Sequence, residues 1–149
     1  MPSVSTKPPI VNFTTPQEAE NAFYEAFANA DLDNMMAIWA EDEELLCTHP
    51  GGARFNDYAA IREAWRSVFE QNMAVEIQVM QIAVWSTLTL AVHCVQEHFM
   101  PEDEDLPEIT VLVTNVYSRG ANGWRMVMHQ ISQTQHNENE LSSVQHRIH

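Results

Sequence analysis

The sequence predicts an α+β fold, three helices packed in the concave face of a strongly curved, mostly antiparallel sheet. Three observations carry this. Apolar residues recur at helical spacing between residues 15 and 69, and from Ala74 onward they alternate with period two. Between the two regimes, Trp39 to Trp65 reads as a helix end, an acidic turn, a short strand carrying Cys47 and His49, a Pro50-Gly51-Gly52 loop, and a new amphipathic helix.

The elements follow in order. Residues 1–13 are a Pro-rich arm, expected to be extended and poorly ordered. Thr15-Pro16-Gln17-Glu18 starts the first helix: Thr15 caps an orphan N–H, Pro16 loses nothing at the first helical position, and Glu18 completes a capping box. Ala19, Ala22, Phe23, Ala26 and Phe27 then carry the helix to about Asn29. Asp31 caps a short second helix with Leu32, Met35, Met36 and Trp39 on its buried side. A short strand covers residues 45–49, and Asn56 or Asp57 caps a third helix built on Ala60, Ile61, Ala64, Trp65, Val68 and Phe69.

Val75, Ile77 and Val79 alternate with Glu76 and Gln78, but Ile82 and Val84 fall out of phase, which predicts a bulge near Met80-Gln81 and a bend there. Further strands are expected at residues 88–100, 108–118 and 124–132, the last two joined by a hairpin at Asn122-Gly123. Residues 101–107 form a solvated acidic loop, with Glu97 and His98 expected to be exposed near the preceding strand's end. The folded unit is thus a single domain, 14–134, followed by a polar tail, 135–149.

Seven Lys and Arg against 21 Asp and Glu give a net charge of −14, which repels phosphate backbones and anionic lipid. Nucleic-acid and membrane-surface partners are excluded on that ground. Two cysteines are too few for a disulfide-stapled secreted fold, the N-terminus lacks a signal peptide's apolar core, and no apolar run approaches the ~20 residues that span a bilayer. A cytoplasmic location is expected.

The segments Ala30-Asp31-Leu32-Asp33, Trp39-Ala40-Glu41-Asp42, Ala59-Ala60-Ile61-Arg62-Glu63 and residues 123–132 resemble the nuclear transport factor 2-like superfamily, in its SnoaL-like and ketosteroid-isomerase-like branch. The resemblance covers about residues 15–134 and implies a cone-shaped fold. It does not fix the function, because one scaffold hosts isomerases, cyclases, dehydratases, transport factors and association domains. In steroid-isomerase-like members the general base is an Asp that here corresponds to Thr48, and the oxyanion-binding Tyr corresponds to Phe23, with Tyr24 next door. Neither matched residue supplies that chemistry. Cys47-Thr48-His49-Pro50 instead resembles a Cys-x-His-Pro signature of functionally unassigned members.

Cys47 and His49 share a strand face, so they can be a thiolate with its base, part of a metal site or a polar anchor, or else a buried small residue and a turn-ordering imidazole. His93 shares its face with Ala91, Val95 and Glu97, and His129 with Val127 and Ile131; each is a core histidine or a pocket wall. Asn115 can aim an amide inward. Tyr24, Trp39 and Trp65 lie on or beside inward helix faces. The site set is therefore His49 and His129 as acid/base residues, with Tyr24, Trp39, Cys47, Trp65, His93 and Asn115 lining a ligand pocket; no metal set is assigned and no cofactor is expected. The activities to weigh are a cofactor-independent isomerase, dehydratase or cyclase acting on a small apolar or carbonyl-containing ligand, and a non-catalytic ligand-binding or dimerisation module. Outer sheet residues such as Val92, Leu112 or Val113 predict a homodimer through the sheet face.

Overall fold

Three side-chain caps begin the three helices. In the computed structural model, which describes residues 11–71 and 75–135, Thr15 Oγ1 accepts the Glu18 N–H at 3.1 Å and starts α1 (Pro16–Ala28). The Glu18 carboxylate reaches back to the Thr14 N–H at 2.7 Å, so the reciprocal half of the cap lands one residue earlier than the sequence suggests. Asp31 accepts the Asn34 N–H at 3.1 Å at the head of α2 (Leu32–Ile38), and Asp57 accepts the Ala60 N–H at 2.8 Å at the head of α3 (Tyr58–Glu70). Expectations about residues 1–10, Ala74 and the tail beyond Gln135 fall outside the described residues.

The short strand is Leu46–Thr48 (β1), narrower than expected, and it pairs with an unanticipated two-residue strand, Arg54–Phe55 (β2), across the Pro-Gly-Gly turn. The long strands are β3 (Val75–Ser86), β4 (Leu90–Pro101), β5 (Ile109–Gly120) and β6 (Gly123–Gln135). They form one six-stranded sheet in the order β2-β1-β6-β5-β4-β3, antiparallel except for β1 against β6. The β4 strand starts at Leu90, two residues later than expected. Leu88 sits in the β3–β4 turn and is 82% exposed.

Bulges set which side chains face the helices. The β3 register shifts between Gln81 and Ala83, close to where the broken alternation placed it. Two further shifts, between Leu112/Val113 and between Val116/Tyr117, lie on the β5–β6 pairing. At the second, Met126 lies opposite Tyr117 and Met128 opposite Val116, so Val127 is the extra residue. Inward residues on β6 therefore change phase from Trp124 and Met126 to His129, which stands opposite Asn115.

The concave face is filled by α1 and α3. Phe23, Trp39, Ile61, Trp65, Tyr117 and Met126 form its main apolar core, and Val95, Val111 and Val113 form a smaller one toward the other end of the strands. The arm's last residue, Phe13, is buried and bridges Gly123, where positive φ and the close approach of Asn12 and the Phe13 carbonyl leave no room for a Cβ. On the convex face Val92 and Leu112 are half-buried while Val113 points inward, which settles the phase. Met80, Ile82, Trp85 and Leu90 on that side are 45–60% exposed.

Candidate functional site

Two residues of α1, one turn apart, reach the sheet at two points. Glu20 Oε2 lies 2.9 Å from His93 Nδ1 and accepts the Tyr117 hydroxyl at 2.8 Å and the Asn115 amide at 3.4 Å. Its other oxygen accepts the Gln81 amide at 3.0 Å. Tyr24 donates its hydroxyl to Glu97 Oε2 at 2.6 Å and accepts the Asn115 Nδ2–H at 3.0 Å. Asn115 Oδ1 lies 2.7 Å from His129 Nδ1. Glu20, His93, Glu97, Asn115, Tyr117 and His129 are all buried, so one hydrogen-bonded network crosses the interior from β3 to β6.

The geometry follows from the strand period. Ala91, His93, Val95 and Glu97 alternate inward on β4, as do Val111, Val113, Asn115 and Tyr117 on β5. Glu97 therefore corrects the expectation of exposure: it is 1% exposed because the acidic stretch after it belongs to the loop, while Glu97 keeps the strand's inward phase. His98 is half-buried and bonded to Thr110 and Glu108. Glu20 was not anticipated as part of a site. The signal was present, since Phe23, Tyr24 and Phe27 stand three, four and seven residues after it on the same helix face.

The two carboxylates are in different protonation environments. Burial pushes Glu20 upward, but hydrogen bonds from His93, Gln81 and Tyr117, with the attraction of His93, hold it below the usual carboxylate range. Burial pushes Glu97 up to about 7, against the Tyr24 hydrogen bond and with the Glu20 charge adding to the rise. Burial also raises the Tyr24 and Tyr117 hydroxyls well above 10, so both are proton donors. His129 is lowered to about 3, first by burial and then by its neighbour His49. It is neutral, and with the Asn115 nitrogen engaged by Tyr24 and Glu20, its Nδ1–H donates to Asn115 Oδ1.

A second, aromatic cluster adjoins His129. Its ring lies 4.9 Å from Phe23 and 6.0 Å from Trp65, and Trp65 lies 5.0 Å from His49. The His49 Nε2 is buried without a hydrogen-bond partner among the described residues, and the buried Trp65 indole N–H has only the Cys47 thiol beside it, too loosely placed for a regular hydrogen bond. Burial raises the Cys47 thiol to about 12, so Cys47 is a neutral, packed thiol and not a thiolate nucleophile. Thr48 Oγ1 accepts the Ile131 N–H at 2.8 Å, which commits the base-equivalent position to holding β1 on β6. Among the described residues no three His, Cys, Asp or Glu side chains converge as metal ligands.

Tyr24, His93, Asn115 and His129 thus meet in one network, and Cys47, His49 and Trp65 stand beside it. Trp39 does not join them; it bridges Met126 and lines a separate groove. A groove of about 420 Å³ between α1 and β3, lined by Gln17, Glu20, Asn21, Tyr24, Val79 and Gln81, opens the network to the outside.

The model of the SnoaL-like domain family matches residues 17–135. A crystal structure from Thiobacillus denitrificans, named as a candidate calcium/calmodulin-dependent protein kinase type II association domain, is 41% identical, with TM-score 0.75 over 83% of this chain and 98% of that one. A candidate dehydratase of the NTF2-like family from Streptomyces avermitilis is 22% identical, with TM-score 0.68 over 76% of this chain and 89% of that one. A ketosteroid isomerase-like protein from Erwinia carotovora atroseptica is 17% identical, with TM-score 0.62 over 76% and 88%. These last two share the fold. No curated protein matches.

Proposed function

The chain belongs to the SnoaL-like domain family, and on that premise we propose that it is a small-molecule enzyme performing proton transfer on a carbonyl- or hydroxyl-bearing ligand, as in isomerisation or dehydration. No organic cofactor enters the reading. The observation that carries it is the Tyr24–Glu97 pair: a phenol bordering the groove, 2.6 Å from a buried carboxyl with a pKa of about 7. A carboxyl with that value is half protonated at neutral pH, where it can give a proton in one step and recover it in the next.

The hydroxyl connects the carboxyl to the groove. When Glu97 is ionised, the Tyr24 proton points at it. When Glu97 is protonated it donates to the Tyr24 oxygen, and the Tyr24 proton is free to bond a ligand oxygen. Asn115 fixes the phenol oxygen in both states, and His129 holds Asn115. His129 is thereby a positioning residue in this reading, while His49, packed against Trp65 and Phe55 and lining neither groove, takes no part in it. Trp65, Cys47 and His93 wall the interior.

The test is deuterium exchange into a panel of hydrophobic carbonyl compounds, followed by NMR with wild type, Tyr24→Phe and Glu97→Gln. Exchange accelerated by wild type and reduced at least about a hundredfold in both variants supports the reading. Acceleration unchanged by either substitution overturns it.

A second reading, an association module, is favoured by the exposed apolar convex face and by the name of the 41% identical relative. In this reading the partner is a second copy of the chain packed sheet to sheet, and the interior network is scaffolding. Dimerisation is compatible with both readings; loss of all exchange activity from a folded dimer selects the second.

A further inference from the structure

A larger groove, about 670 Å³, lies past the other end of the long-strand array, between the turn that follows α2 and the β5–β6 hairpin. It shares no lining residue with the α1–β3 groove, and it does not depend on the activity proposed above. Arg125, half-buried on the β6 wall, gives one N–H to the Trp124 carbonyl at 2.9 Å and one to the Val11 carbonyl, and its other three donors have no partner among the described residues. No carboxylate among the described residues comes within ion-pair distance of it. Trp39, 1% exposed, packs beneath the same groove as part of its apolar wall.

The facing wall has the opposite sign. Glu41, Asp42 and Glu43 are exposed along the turn after α2, and Glu41 is close enough to act electrostatically on Arg125 without pairing with it. Met36, Ala37 and Ala40 give the groove an apolar side. A simple anion attracted to Arg125 meets three carboxylates, and a simple cation attracted to those carboxylates meets Arg125. A ligand carrying both charges satisfies both walls. We propose that this groove binds an apolar α-amino acid, its carboxylate on the Arg125 guanidinium and its ammonium toward Glu41–Glu43.

Three probes sharing one ring separate the charges: L-phenylalanine, 3-phenylpropionate, which lacks the ammonium, and 2-phenylethylamine, which lacks the carboxylate. Each is titrated into the full chain at millimolar concentration and followed by thermal shift and by amide NMR. L-Phenylalanine is expected to raise the melting temperature and to move resonances of residues 36–43 and 118–125, with either analogue at least about tenfold weaker. Arg125→Gln should abolish the shift. Because Arg125 also stacks on Phe13, the exposed double variant Glu41→Gln/Glu43→Gln provides a second measure on a surface that does not hold the fold together. It should weaken L-phenylalanine about fivefold or more without weakening 3-phenylpropionate. Equal affinity for the three probes, no binding of any, or resonance changes confined to α1 and β3 would each overturn the proposal.

Discussion

His129 Nδ1 and Asn115 Oδ1 stand 2.7 Å apart on neighbouring strands, and this contact orients the polar interior. With its oxygen taken by His129, the Asn115 amide must present its nitrogen to Tyr24 and Glu20. The contact exists because Val127 bulges out of register and turns His129 inward. One backbone irregularity thus links the β6 imidazole to both carboxylates.

Replacing Asn115 by Leu should leave three buried groups short of a partner at once: His129, Tyr24 and Glu20. At about 1 kcal/mol or more for each, the variant is expected to lose about 3 kcal/mol or more of stability in urea denaturation. A loss below about 1 kcal/mol would show that the network does not hold the interior together.

Glu97 makes stability depend on pH in an unusual direction for a carboxyl. Its folded pKa of about 7 lies above the ordinary 4.5, so between those values the folded chain keeps a proton that the unfolded chain has released. Stability therefore falls as pH rises through that window, by up to about 3 kcal/mol at about 1.4 kcal/mol per unit, and is flat above it. Glu97→Gln should remove this fall while still accepting the Tyr24 hydroxyl. Urea midpoints measured from pH 4 to 8 report it.

His129 works the other way. The unfolded imidazole takes a proton below about 6.5, whereas the buried one holds off until about 3. Stability is lost as pH falls through that window, with a ceiling of about 5 kcal/mol. The two effects oppose each other between pH 4.5 and 6.5, where the wild-type curve is expected to be shallow. Glu97→Gln should expose the acid-side loss, and His129→Gln should expose the fall toward neutral pH. If both variants follow the wild-type curve, neither group titrates as described.

The helices, long strands and β3 bulge were legible because their signals are local: a capping side chain, a 3.6-residue period, a break in alternation. Asp57, Thr15 and Asp31 cap where their chemistry said they would. The network was only half legible. His93 and Asn115 sit on clean alternating runs, but His129 faces inward by virtue of a β6 bulge that nothing in residues 124–132 announces. Glu20 and Glu97 were missed for a different reason. A charged residue on an apolar face looks solvated until the partners that neutralise it are seen, and those partners lie 61 or more residues away. Trp39 fell on the right helix face, but it sits at the C-cap, where the chain leaves toward β6 and the other groove.

The convex face makes a prediction about assembly. Met80, Ile82 and Trp85 on β3 are 59%, 55% and 60% exposed, large apolar side chains of the kind that a second copy can cover. Wild type is expected to sediment as a dimer at micromolar concentration, and Trp85→Glu as a monomer with unchanged circular dichroism. A wild-type monomer at ten times that concentration would remove the sheet-to-sheet partner.

The two thiols should then report on the interior and the outer face separately. Cys47 is fully buried, with its thiol held near 12, so it is inert to an alkylating reagent until the chain unfolds. Cys94 lies opposite Ala83 on the outward phase of β4 and is half-buried. A disulfide reagent should label one thiol per native chain, and Cys94→Ser should abolish that labelling, leaving Cys47 reactive only in urea. If a second copy covers the sheet, the rate at Cys94 falls as protein concentration rises, and Trp85→Glu removes that dependence. Rapid native labelling of Cys47 would mean that the interior opens readily, and the packed arrangement of Phe23, Trp65 and His129 around it would then have to be abandoned.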